Sequence, residues 1–132
     1  MSILTNWYND EKTILYHTYE ATWTWNDLYV AVDKAYALLE SVDHTVDIII
    51  DMRLSRIIPS NVFNHGKYTL VKTHPRRGYM IIVGAPRLAH ILFQAFLKIY
   101  DKEARGLRVV FVTTVEEGLD QIHELHAQTQ SA

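Results

Sequence analysis

Val46-Asp47-Ile48-Ile49-Ile50-Asp51-Met52 is the stretch on which the fold turns. It is too short for an ordinary helix, and its β-branched run has no polar face, so it predicts a strand buried on both sides. Such a strand needs a layer above and a layer below, which means a largely parallel sheet flanked by helices. Tyr79 to Val83 and Val109 to Val112 have the same character.

Working outward, the segments between these runs read as helices. Thr24-Trp25-Asn26-Asp27 offers a capping box, beyond which Leu28, Ala31, Val32, Ala35, Leu38, Leu39 and Val42 recur at helical spacing while Asp33, Lys34 and Glu40 fall elsewhere. Pro59 suits the first turn of a second helix carrying Val62, Phe63, Tyr68 and Leu70, and Thr73 to Gly78 predicts a turn. Pro86 opens a third helix, Leu88 to Tyr100, with Gly106 marking the exit. Thr114-Val115-Glu116-Glu117 is a second capping box, starting a closing helix with Val115, Leu119, Ile122 and Leu125 on its apolar side. Nearer the start, Ile3 to Tyr8 and Thr13 to Glu20 flank the polar turn Asn9 to Lys12 and predict two paired strands.

The resulting order, β-β-α-β-α-β-α-β-α, predicts an α/β sandwich with a mixed, mainly parallel central sheet and right-handed crossovers. At 132 residues the chain fits one domain, expected over residues 1–127 with a frayed tail from Gln128. A net charge of -2 supplies no field that would draw it onto nucleic acid or an anionic membrane. With no cysteine, disulfides, thiolate catalysis and the common structural zinc sites are all excluded. No basic leader or long apolar run is present, so a cytoplasmic protein without a membrane span is expected.

Candidate chemistry is sparse. His123 and His126 share a face of the closing helix, but no carboxylate completes a metal signature, so they read as surface histidines and no metal site is expected. Gly84 stands alone where a nucleotide fingerprint needs three glycines, so no cofactor is expected. Arg53, Arg56 and Arg87, with Arg76 and Arg77, lie in or near loops; the first three are candidate anion contacts. Ser60 lacks the surroundings of a nucleophile, and no residue reads as catalytic. Trp7, Tyr8, Tyr16, Tyr19, Trp23 and Trp25 predict one sheet-packing aromatic cluster. On the third helix, Leu88, Ile91, Leu92, Ala95, Phe96 and Ile99 make a core stripe, beside which Phe93, Leu97 and Tyr100 form a surplus apolar stripe for a homodimer or a ligand.

From Val46 onward the chain resembles the STAS domain, the sulfate-transporter and anti-sigma-factor-antagonist family. Asp47 to Met52 looks like its central strand, Arg53 to Phe63 like the following loop and helix start, Ile81 to Arg87 like the next strand and turn, and Thr114 to Leu119 like the start of the closing helix. The resemblance implies a regulatory protein-interaction module that docks through the loop Ile58, Pro59, Ser60, Asn61, Val62 and Phe63. The implied partner is a protein, in the family a kinase-like anti-sigma factor that phosphorylates a serine in this loop. Here Asn61 stands at the serine's place, and asparagine offers no oxygen nucleophile for phosphate. The family's likeness to lipid-binding folds also implies an alternative, a small-ligand or lipid carrier.

Overall fold

In the computed structural model, residues 2–62, 64–65, 74–102 and 107–131 are described, with side chains through Gln128 in the last segment. Five strands form one sheet in the order β1 (Ile3–Trp7), β2 (Ile14–Ala21), β3 (Val46–Ser55), β4 (Arg77–Val83) and β5 (Val109–Val112). Only the β1–β2 pair is antiparallel; every later pair is parallel. Three long helices are described, α1 (Trp25–Glu40), α2 (Arg87–Ile99) and α3 (Val115–Ser131). The expected α/β architecture with a mixed, mostly parallel sheet is therefore present. Of the helix expected after Pro59, Val62, Asn64 and His65 are helical. Phe63, Tyr68 and Leu70, like Gly106, lie outside the described residues. No helix among the described residues is long and apolar enough to cross a membrane.

Local chemistry explains where the elements start. Thr24 accepts from the Asp27 amide at 3.2 Å while the Asp27 carboxylate accepts from the Thr24 amide at 2.9 Å, closing the expected box on α1. At α3 the Thr114 hydroxyl accepts from the Glu117 amide, but Glu117 reaches back one residue further, to the amide of Thr113 at 3.2 Å. Both arrangements satisfy amides that a helix's first turn leaves without partners.

Because the strands follow one another across the sheet, the crossover helices α1 and α2 share one face. Trp23, Leu28, Ala31, Met52 and Ile82 pack there with Ala89, Phe93 and Phe111, and Leu15, Ala35, Leu39, Val46 and Ile48 continue the layer. Helix α3 follows the last strand and takes the opposite face, where Ile122 meets Ile14, Ile49, Ile81 and Val83. Strand β3 thus alternates Ile48 and Ile50 toward one layer with Ile49 toward the other, and burial of each isoleucine contributes about 1.5–3 kcal/mol.

Three sequence expectations are corrected by this packing. The aromatic residues divide between faces instead of forming one cluster: Tyr19, Trp23 and Trp25 stack edge to face on the α1 side, while Tyr8 lies against Tyr16 on the other. The core stripe of α2 is also reassigned. Phe96 is 6% exposed, but Leu88, Ile91 and Ile99 are 59%, 54% and 61% exposed, because α2 turns Ala89 and Phe93 toward Phe111 and the sheet. Nor is His126 a surface bystander: its Nε2 meets Asp47 Oδ2 at 2.7 Å, tying α3 to the buried carboxylate of β3.

Candidate functional site

Between the sheet and the helix pair α1 and α2 lies an apolar cavity of about 210 Å³. Its floor is Ile48, Ile50 and Met52 of β3, with Met80 and Ile82 of β4 beside them. Ala31 and Ala35 on α1, and Ala89 on α2, contribute only methyl groups to the walls. These small residues leave a gap that leucines would close, since helices over a sheet ordinarily fill the space with larger side chains. The volume exceeds the roughly 150 Å³ that accommodates a benzene ring in an engineered protein cavity.

One end is closed by the loop after β3. Ile58 and Val62 point inward as part of the lining, while Ser60 and Asn61 face outward. The loop is fastened to the start of α1 by indole groups: Trp23 Nε1 donates to Ser55 Oγ at 2.8 Å and Trp25 Nε1 to the Ser60 carbonyl at 2.5 Å. His65 stacks on Trp25 with ring centres 5.1 Å apart and also hydrogen-bonds through Nδ1 with the Tyr29 hydroxyl. Asn61 sits at φ 63°, a left-handed conformation that asparagine tolerates better than most residues.

The polar groups of the lining lie at named places. His17 on β2 is buried and shares a 2.9 Å hydrogen bond with the Thr5 hydroxyl. Burial, and secondarily the charge of Lys34, hold its imidazole down at about 4, so the ring is neutral near pH 7. At the end opposite the loop, His74 accepts the Arg76 amide on Nδ1 at 3.1 Å, so its Nε2 carries the proton toward Glu40 Oε1, 3.0 Å away.

Arg77 is the only arginine in the lining among the described residues, and a bulge puts it there. Val46 pairs with Arg77 but Ile48 pairs with Met80, leaving one extra residue on β4. The freed Tyr79 amide donates to Asp47 Oδ1 at 2.8 Å. Gly78 is required at this spot, for a Cβ would stand 2.3 Å from the same oxygen. Simple alternation would put Arg77 with Tyr79 and Ile81 on the α3 face; the extra residue turns it into the cavity.

None of the three arginines read as candidate anion contacts lines this cavity. Arg53 is bound to Asp51, with Nε on Oδ1 at 3.0 Å and Nη2 on Oδ2 at 2.7 Å. The Tyr16 hydroxyl donates to the same carboxylate. Burial works to raise the Asp51 carboxyl, but the hydrogen bonds from Arg53 and Tyr16 outweigh it and hold the group below its ordinary range. Burial and the bond to Asp51 push the Tyr16 phenol up to about 12. Both oxygens of Asp51 are thus taken up by Arg53 and Tyr16. Arg56 and Arg87 are exposed. Of the surplus stripe, Phe93 lines the cavity, whereas Leu97 and Tyr100 do not.

No protein-family model matches the chain, and no curated protein matches it.

Proposed function

We propose that the chain is a non-catalytic binding module whose cargo is a small apolar molecule held between the sheet and helices α1 and α2. The observation that carries this reading is the cavity, about 210 Å³ of mostly apolar lining in a layer that core side chains ordinarily fill. It lies below the usual range for drug-sized ligands, which argues for one ring or one short chain.

The test uses methyl NMR with the alcohols hexanol through decanol as probes. Binding is expected to shift the methyl signals of Ile48, Ile50, Met52 and Ile82, and Ala89→Phe, which fills the cavity from α2, is expected to abolish the shifts. Absence of any shift at millimolar probe would refute the reading.

A second reading, docking of a protein partner, is supported by the outward edge Ser60 and Asn61 and by the STAS resemblance of the surrounding segments. In this reading the regulatory role lies in the loop, and Asn61 removes the family's phosphorylation switch. The inward placement of Ile58 and Val62 on the same loop joins the two readings, since an occupant of the cavity touches the underside of the segment a partner would read.

A further inference from the structure

We propose that the cavity's ligand carries a single carboxylate, received by the guanidinium of Arg77. This deepens the apolar-cargo reading and rests on it.

Arg77 faces a cavity whose floor and walls are otherwise mostly aliphatic and aromatic. Its guanidinium has no hydrogen bond or ion pair to any described residue, whereas the neighbouring cation is provided for: Arg76 Nη1 lies 3.6 Å from Glu40 Oε2. Glu40 also takes up the proton-bearing face of His74, so the local carboxylate is shared between two partners other than Arg77. The surroundings of Arg77 lower its affinity for the proton through burial, with no nearby carboxylate offsetting that effect. A half-desolvated cation of this kind is stabilised by an anion that brings its own apolar body into the cavity.

The charge count selects the anion. One guanidinium with two parallel N–H donors matches one carboxylate in a bidentate pair. A phosphate dianion would call for a second cationic side chain, and Arg77 is the only arginine or lysine among the described lining residues, while both ring nitrogens of His74 are engaged within the protein. The lining runs along β3 from Ile48 to Met52, so a chain or ring entering beneath the loop would extend toward Arg77 at the other end of the sheet face. A two-chain lipid exceeds the volume; a medium-length alkanoate or an arylalkanoate fits it.

The experiment measures the affinities of octanoate and 1-octanol for the full chain by calorimetry, with the fluorescence of the cavity-lining Trp23 and Trp25 as a second readout. Wild type is expected to prefer octanoate by about tenfold to a hundredfold. Arg77→Met should erase that preference while leaving octanol binding in place, and Arg77→Lys, which keeps the charge but loses the bidentate fork, should retain only part of it. Equal affinities in wild type, or a preference that survives in Arg77→Met, would overturn the assignment and leave the apolar-cargo reading standing. If neither probe binds, the cargo reading itself falls and the Arg77 assignment falls with it. Should Arg77→Met fail to fold by circular dichroism, carboxyl-labelled octanoate on wild type decides the matter. A bound carboxyl that titrates below its free value supports the pair, and one that titrates above it refutes the pair.

Discussion

His17 makes the stability of this protein depend on pH in a predictable window, and the dependence can be isolated with one substitution. The imidazole is buried, and its folded-state value of about 4 lies well below the ordinary value near 6.5. A histidine depressed in this way binds its proton more readily in the unfolded chain. Its neutral form therefore contributes stability that is complete above about pH 6.5 and is lost as pH falls toward 4. The separation corresponds to about 3 kcal/mol over the whole window, with a slope approaching 1.4 kcal/mol per pH unit in its middle. His17→Gln removes the titration while keeping a side chain able to hydrogen-bond the Thr5 hydroxyl. Urea unfolding of both proteins from pH 7 to pH 4 should show the wild type losing stability faster, with the difference between the two curves accumulating in this window. Parallel curves would refute the argument, because the loss would then belong to other groups. The seven histidines of the chain make this difference measurement necessary.

Two further outcomes follow from the packing. Asp51→Asn should cost about 1–2 kcal/mol in urea unfolding, less than a fully buried pair because the Arg53 side chain is 51% exposed, and ultraviolet titration should find the Tyr16 phenol descending from about 12 toward 10. An unchanged phenol titration would show that the carboxylate does not hold it. On α2, Phe96→Ala should cost about 3–5 kcal/mol whereas Leu88→Ser and Ile91→Ser should each stay within about 0.5 kcal/mol, since only the phenylalanine is buried. Comparable losses at all three positions in thermal denaturation would restore the stripe that helical spacing suggests.

The α2 case shows where sequence reasoning ran out. Helical periodicity identifies an apolar arc, but in a helix with apolar residues on nearly every side it cannot say which part of the arc faces the sheet. Phe93 and Phe96 face inward because Phe111 of β5 and the sheet offer aromatic and aliphatic partners there. The loop Ile58 to Val62 was legible as a distinctive segment, yet its division into an inner side at Ile58 and Val62 and an outer side at Ser60 and Asn61 goes with the Trp25 indole, which arrives from α1 to hold the Ser60 carbonyl.

By itself the sequence determined the five strands, three of the helices and the class of fold, because strand and helix periods and capping residues are local properties of the chain. Tertiary structure alone decided where the charged side chains lie. Arg53 looked available and is held by Asp51; Arg77 looked like a turn residue and lies in the cavity. The reason is one extra residue in β4, accommodated where the Asp47 carboxylate meets the Tyr79 amide over Gly78. Such a bulge reverses the facing of a side chain without any change in periodicity that a sequence displays.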